Sequence, residues 1–438
     1  MNIVYLHSHD TGRYVQPYGY AVPTPEIQML AAEGIVFRQA FCAAPTCSPS
    51  RAALLTGQAA HGSGMLGLAH RGWALADYRQ HLVHTLRGAG YTTVLAGVQH
   101  VAADTSAIGY DRVLDVADCQ ASTVAPAAAA FILNAPTHSF FLDVGFFETH
   151  REFPEPASED ERYCRPPAPL PDTPETRRDM AGYLASARAL DRGVGIVLDA
   201  LDEAGLDDST LVLCTTDHGL AFPGMKCSLT DHGIGVMLIV RGPNRENDFR
   251  GGTVSDPLVS QIDVFPTICD LLGIDRPAWL QGQSLLPLVR GETAEVNEAI
   301  FAEVTYHAAY DPQRAARTTR WKYIRRYEER NGPVLPNVDD GPSKGLWLAH
   351  GWRDRAQPPE QLYDLRFDPN EAHNLATDPA HAEPLAEMRD RLDRWMHDTA
   401  DPLLDGPVGP PPGREIRVND VDGMSPRDPT RILTAPGQ

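Results

Sequence analysis

The chain contains 438 residues, of which 42% are hydrophobic and 22% are charged, so it can build a sizeable core and is not compositionally disordered. Its formal net charge of −20 argues against a general nucleic-acid binder, because phosphate contacts need a basic surface. No run is long and apolar enough to span a bilayer, so we expect no membrane association.

The chain opens directly on the apolar run Asn2–Leu6, without a basic and apolar leader before it. We therefore expect a cytoplasmic protein. The seven cysteines are scattered and odd in number, which does not indicate a disulfide framework or a zinc ribbon.

Short apolar runs alternate with helical patterns along the first 295 residues. A helix is expected to begin at Thr24-Pro25-Glu26 and to end at Gly34, and a longer one to span Glu175–Ala204. Five apolar runs predict buried strands: Ile3–Leu6, Thr93–Ala96, Phe140–Val144, Leu211–Thr215 and Val236–Val240. This alternation predicts an α/β domain with a large, mainly parallel sheet flanked by helices.

The pattern changes after about residue 295. The runs Ala299–Val304, Arg320–Arg326 and Gln361–Leu365 predict strands without full helices between them, and Glu383–His397 predicts a closing helix. We therefore predict a catalytic domain at 1–295 and a smaller C-terminal α+β subdomain with an antiparallel sheet at 296–438. The tail after residue 401 and the segment 151–174 are predicted as loops.

The most informative stretch is Cys47-Ser48-Pro49-Ser50-Arg51, which is followed by Leu55-Thr56-Gly57. Pro49 can begin a helix and Gly57 suits its end, which places Cys47 at the helix N-terminus. Backbone N–H groups and the helix dipole favour an anion there. Arg51, one turn further on, can direct a bidentate cation at the same place.

This stretch resembles the signature of the type I sulfatases. The resemblance implies an alkaline-phosphatase-like fold and a Cys47 that a formylglycine-generating enzyme oxidises to formylglycine, whose hydrate attacks sulfur. It also implies a divalent metal, commonly Ca²⁺.

Two further elements match the metal site of that family. Asp10, in Ser8-His9-Asp10 after the first strand, and Asp217, in Thr216-Asp217-His218 after a later one, face one crevice if the strands are parallel. The family commonly has two Asp at the first element, and His9 departs from this pattern. Because Mn²⁺ accepts nitrogen more readily than Ca²⁺, His9 makes Mn²⁺ an alternative. The expected metal ligands are His9, Asp10, Cys47, Asp217 and His218.

Other positions match elements that surround the sulfate in the family. His100 is expected to bind the sulfate, and His150 is the candidate general acid for the leaving group. The expected substrate-binding residues are Lys226, His232 and His307. The family often has a Lys where this chain has Val98, so a sulfate-binding cation is lost there.

The resemblance extends to the end of the chain, through Gln361-Leu362-Tyr363-Asp364-Leu365 and Asn374-Leu375. These stretches look like the N-sulfoglucosamine sulfohydrolase branch, which implies a sulfated sugar as substrate and, by analogy, a homodimer. Two alternatives stay open. One is a phosphonate monoester or phosphodiester hydrolase on the same scaffold, and the other is a non-catalytic homologue that binds sulfated glycans.

Overall fold

The computed structural model describes residues 1–243 and 248–435. Its strands are β1 (Asn2–Ser8), β2 (Ile35–Phe37), β3 (Ala40–Phe41), β4 (Thr92–Gly97), β5 (Arg112–Val113), β6 (Phe140–Gly145), β7 (Thr210–Thr216), β8 (Leu238–Arg241), β9 (Thr253–Ser255), β10 (Val259–Ser260), β11 (Ala299–Tyr306), β12 (Tyr310–Thr318), β13 (Trp321–Arg326), β14 (Glu360–Asp364), β15 (Glu415–Asn419) and β16 (Thr430–Thr434). Its helices are α1 (Pro25–Glu33), α2 (Cys47–Thr56), α3 (Ala60–Ser63), α4 (Leu82–Gly88), α5 (Ala121–Leu133), α6 (Ser158–Tyr163), α7 (Pro174–Glu203), α8 (Asp231–Ile234), α9 (Val264–Leu272), α10 (Leu286–Val289), α11 (Pro342–Ala349) and α12 (Ala382–Asp398).

The main sheet has eight strands in the order β5-β4-β6-β1-β7-β8-β2-β9. Strands β4, β5, β6, β1 and β7 run parallel, and β8 runs antiparallel to β7 and β2. Every residue of β1 and β7 is buried, as expected for central strands that helices cover on both faces. The predicted mixed, mainly parallel sheet is confirmed.

Two predicted helices are confirmed to within one residue at each end. The first spans Pro25–Glu33, and the second spans Pro174–Glu203, where Thr173 caps the first turn through a capping box. The strand predicted at Val236–Val240 begins two residues later, at Leu238.

The C-terminal sheet is antiparallel in the order β11-β12-β13-β14, as predicted, but its longest strand was missed. Strand β12 is buried along most of its length although it contains Asp311, Arg314 and Arg317. Ion pairs with oppositely charged residues outside β12 allow these groups to be buried. Hydrophobic periodicity cannot reveal such a strand.

The prediction of a loop-like tail was wrong, because β15 and β16 form a hairpin. Ile416 and Val418 of this hairpin lie in the same hydrophobic cluster as Ile3 and Ile300. The core is therefore continuous across residue 295, and the division of the chain there stays a prediction. Among the described residues, no helix combines the length and apolar character needed to cross a bilayer.

Candidate active site

The site lies at the carboxyl ends of β1 and β7. These strands are parallel neighbours with Ser8 opposite Thr216, so the residues that follow them emerge side by side. The backbone N–H of Asp10 donates a hydrogen bond of 2.8 Å to Oδ1 of Asp217. This bond holds the Asp217 carboxylate beside Asp10 at the edge of the sheet where open α/β sheets bind ligands.

A group of potential metal ligands converges at this edge. Single donor atoms of His9, Asp10, Cys47 and Asp217 all lie within 4.8 Å of one another. Nε2 of His218 lies 3.3 Å from Oδ1 of Asp10 and 3.5 Å from Sγ of Cys47. Nε2 of His9 and Oδ1 of Asp10 are buried and make no hydrogen bond within the described part of the chain, whereas Nδ1 of His9 lies 3.1 Å from Oδ2 of Asp217. Such unsatisfied buried atoms fit a divalent cation.

The ionisation of these groups also suits a cation. Burial, reinforced by the Arg51 guanidinium, lowers the pKa of His9 well below its usual value and keeps the ring neutral. Burial opposes ionisation of Asp217, but His218 and Arg51 lower the pKa of its carboxyl well below the usual range. The cluster therefore offers a neutral nitrogen and a charged carboxylate, the forms that ligate metals.

Cys47 is the first residue of α2, two residues before Pro49. The helix ends at Gly57, whose left-handed φ of 67° favours glycine. Cys47 is only 2% exposed, and burial raises the pKa of its thiol. The thiol itself is therefore a poor nucleophile here.

Arg51 is buried beside the cluster. Its Nη2 donates to Oδ2 of Asp217 at 3.1 Å and to the carbonyl of Ser8 at 2.8 Å, and its Nη1 contacts Nδ1 of His7. Nε2 of His7 in turn lies 2.7 Å from Oδ1 of Asp143. The guanidinium is thus fixed on two sides, which positions it for an anion at the helix N-terminus.

Lys226 lies on the other side of the cluster and is also buried. Its Nζ lies 3.0 Å from Oδ2 of Asp10, 2.9 Å from Oδ2 of Asp339 and 3.5 Å from Nε2 of His150. Burial opposes its charge, but Asp10 and Asp339 raise the pKa of Lys226 well above its usual value. The side chain therefore stays a cation in the buried site.

His150 is oriented by its backbone neighbour. Its Nδ1 hydrogen-bonds to the carbonyl oxygen of Arg151, so Nδ1 carries the donated proton. Nε2 then faces Lys226 and accepts from its ammonium. Lys226 and His150 thus form one proton-bearing pair.

His100 and His307 also border the site. The His100 ring centroid lies 5.7 Å from that of His9, and burial together with His70 lowers the pKa of His100 to about 3. Nδ1 of His70 lies 3.0 Å from Nε2 of His100. His307 is buried, and burial followed by the Lys226 charge lowers its pKa well below the usual value.

His232 lines two clefts, one of which it shares with Lys226. Its Nδ1 lies 3.1 Å from the hydroxyl of Tyr14, and it lines a cleft shared with Arg13 and Arg317. Within the described residues, no hydrogen bond or ion pair joins it to the ligand cluster. The role of His232 in substrate binding therefore stays a prediction.

Several residues of this site escaped the sequence analysis. Asp143 and Tyr110 support His7, with 2.5 Å between the Tyr110 hydroxyl and Oδ2 of Asp143. Asp339 holds Lys226, and His70 contacts the ring of His100. Of these residues, only Asp143 could have been recognised from the sequence, because it is an acidic residue within the apolar run Phe140–Val144.

Two protein-family models match the chain. The model described as Sulfatase matches residues 1–274, which is more than half of the chain. The chain belongs to the sulfatase family. A second model, described as N-sulphoglucosamine sulphohydrolase, C-terminal, matches residues 225–344 of this sulfatase.

Individual relatives agree with this assignment. N-sulphoglucosamine sulphohydrolase from Homo sapiens is 30% identical, over 89% of this sulfatase and 88% of the human protein. An ulvan-active sulfatase from Formosa agariphila is 27% identical, over 90% of this chain and 74% of that protein. These sequence matches assign the enzyme class, a sulfuric ester hydrolase or sulfamidase.

Solved structures agree on the fold. A structure in complex with D-glucosamine-2-N,6-O-disulfate as its substrate has a TM-score of 0.72 at 18% identity and covers 93% of this sulfatase and 99% of that chain. The structure of a 2-O GAG sulfatase has a TM-score of 0.69 at 22% identity, and the match covers 92% of this sulfatase and 93% of that chain. The predicted alkaline-phosphatase-like fold is confirmed.

Proposed function

We propose that this sulfatase removes sulfate from a sulfated sugar, with N-sulfoglucosamine as the first candidate, through a formylglycine formed from Cys47. The observation that carries the proposal is the convergence on Cys47 of the metal-ligand cluster, Arg51 and Lys226. The human relative is an N-sulphoglucosamine sulphohydrolase, which supports a sulfamate as the bond to test first. A formylglycine-generating enzyme would supply the oxidation.

The metal would be held by His9, Asp10, Asp217 and His218 together with residue 47. It would supply positive charge that polarises the sulfate and the nucleophile. Calcium is expected from the family, but two imidazoles among the donors favour a softer ion such as Mn²⁺. Metal analysis of protein purified without added metal distinguishes the two.

The side chains of the site have separable tasks in this proposal. Arg51 and Lys226 neutralise the sulfate oxygens from two sides, and the neutral His100 ring donates a hydrogen bond at a third position. His150 is the candidate general acid for the departing nitrogen or oxygen, while Lys226 keeps its proton and its charge. His307 directly follows β11 and lies close enough to Lys226 to feel its charge.

The test is peptide mass spectrometry of protein co-expressed with a formylglycine-generating enzyme, combined with an assay for released sulfate. We expect an aldehyde at residue 47 and turnover of N-sulfoglucosamine, whereas Cys47→Ala protein should release no sulfate. An unmodified Cys47 under conditions that convert a control sulfatase would favour the glycan-binding homologue instead.

A second candidate is a phosphonate monoester or phosphodiester hydrolase. The observation that favours it is the pair of departures from the sulfatase pattern, His9 in the metal cluster and Val98 in place of a cation. Faster turnover of a phosphodiester than of every sulfated sugar tested, in the presence of Mn²⁺, would establish it.

A homodimer is expected by analogy alone, and sedimentation measures it directly.

A further inference from the structure

The C-terminal hairpin of β15 and β16 lies beyond the residues that either family model matches, which end at 344. It is nevertheless built into the protein. Ile416 is fully buried and Val418 is 3% exposed, and both pack into the main hydrophobic cluster. Residues that the family models do not cover therefore contribute to the fold and lie close to the site.

One side of the hairpin is fastened to the turn that carries His70. Gly72 has a φ of 105°, and a Cβ at this position would lie 2.1 Å from the carbonyl oxygen of Glu415. Nη1 of Arg71 donates to Oδ1 of Asn419 at 2.8 Å, and Asn419 donates its backbone N–H to the carbonyl of Ala308 at 2.8 Å. Only glycine permits this close approach of the two backbones.

The loop between the two strands is fastened on the opposite side of the site. Ser425 hydrogen-bonds to Asp340, the residue after the Asp339 that holds Lys226. Arg427 forms an ion pair with Glu152, two residues after His150. The hairpin and its loop thus connect the turn at His70 with the segments that position Lys226 and His150.

Arg417 lies on β15 between Glu415, which contacts Gly72, and Asn419, which accepts a hydrogen bond from Arg71. Side chains two residues apart on a strand share a face, so Arg417 points to the same side as Asn419, towards Arg71 and His70. Glu415 shares this face. Arg417 is exposed, and its guanidinium makes no hydrogen bond or ion pair with any described residue, Glu415 included.

The positive charge of Arg417 affects the ionisation of Arg71 and His70. Burial lowers the pKa of Arg71, and Arg417 lowers it further. Burial and Arg71 lower the pKa of His70, and Arg417 acts in the same direction. An unpaired cation therefore lies near the stacked rings of His70 and His100, and His100 in turn neighbours the metal-ligand candidate His9.

We propose that Arg417 binds a second acidic group of the substrate, a carboxylate or a second sulfate, while the sulfate to be removed lies at Cys47. This rests on the proposed function, because it names a feature of the sugar that the same site would hydrolyse. In a protein of net charge −20, a cation left unpaired beside the site marks where the substrate carries its second negative charge. Arg417 is thus a specificity-determining residue supplied by the tail.

The test compares wild-type protein with Arg417→Gln, using Arg431→Gln as the matched control. Arg431 lies opposite Val418 in the hairpin and therefore on its other face, and it is also exposed. The mature enzymes are assayed on N-sulfoglucosamine, on glucosamine 2-N,6-O-disulfate and on a disaccharide of a uronic acid and N-sulfoglucosamine. N-sulfoglucosamine carries no second acidic group. The disulfate carries a second sulfate, and the disaccharide carries a carboxylate.

We expect Arg417→Gln to raise KM about tenfold for a substrate with a second acid and to leave N-sulfoglucosamine within about twofold. Arg431→Gln should change neither. A KM effect confined to the disulfate identifies a sulfate as the second group, and one confined to the disaccharide identifies a carboxylate. An equal effect on all three substrates, or none, overturns the proposal.

A binding experiment separates this proposal from the proposed function. Calorimetry on Cys47→Ala and on Cys47→Ala/Arg417→Gln measures Kd for the same three sugars without turnover. If the mature wild-type protein hydrolyses none of them, the proposed function fails, but a tenfold difference in Kd for an acid-bearing sugar still supports the Arg417 subsite. Equal Kd values in the two variants, or no binding at all, refute it.

Discussion

Lys226 provides the sharpest test of how the site handles an anion. It is 2% exposed, and its ammonium contacts the carboxylates of Asp10 and Asp339. In the proposed function, Lys226→Met removes a buried cation that neutralises the sulfate, and the loss of one preorganised donor typically costs a factor of about 10²–10³ in kcat. We therefore expect a loss of this size in kcat/KM for sulfate release.

The same substitution should also destabilise the protein. The metal would still offset the charge of Asp10, but Asp339 would lose its only close cation among the described residues. Breaking a buried pair in this way costs about 3 kcal/mol. Thermal unfolding should therefore show a lower Tm for Lys226→Met.

The double variant Lys226→Met/Asp339→Asn separates these two effects. It removes the orphaned charge, so we expect most of the lost stability to return while kcat/KM stays low. Recovery of activity together with stability would refute the reasoning, because Lys226 would then serve only to neutralise Asp339. A single variant that keeps kcat/KM within tenfold of wild type would refute it as well.

Three other variants test the surroundings of the site. Asp143→Asn weakens the support of Arg51 and should lower kcat/KM about 10–100-fold with Tm nearly unchanged, so an unaltered kcat/KM would contradict it. Glu303 has its pKa lowered to about 2 by His61 despite burial, so its contribution to stability, complete above about pH 4.5, should be lost as the pH falls towards 2. Melting curves between pH 2 and 6 should show this slope, and Glu303→Gln should flatten it. Gly72→Ala should loosen the hairpin and expose the tail to limited proteolysis, and a protease-resistant tail would argue against the close approach.

The sequence predicted the elements whose defining residues lie within one contiguous stretch of the chain. Cys47 and Arg51 belong to one contiguous motif, and Asp10 and Asp217 each follow a readable apolar strand, so their convergence could be expected from parallel strand ends alone. The helix of Pro174–Glu203 has a cap and a long apolar face, which also lie within one stretch of sequence.

The missed features depend on partners far away in the chain. Asp339 matters because it contacts Lys226, and Arg314 lies in a buried strand because Glu303 and Asp401 surround it. The tail that contains the hairpin is rich in Pro and charge, which predicts a loop, and its two strands are short. A single sequence shows the charge of such groups but not the group that compensates it.

The burial of α2 has a consequence for the timing of maturation. All ten residues of this helix are buried, so an enzyme that oxidises Cys47 has to reach it before the segment packs. Ser50 of the helix hydrogen-bonds to the carbonyl of Asp217 and to the side chain of Gln261, which follow it by 167 and 211 residues. At about 5–20 residues per second, the ribosome needs roughly 10–40 s to make those partners. If Cys47 is oxidised as we propose, oxidation therefore competes with completion of the chain, and a molecule that folds with its thiol intact can reach the aldehyde only by unfolding.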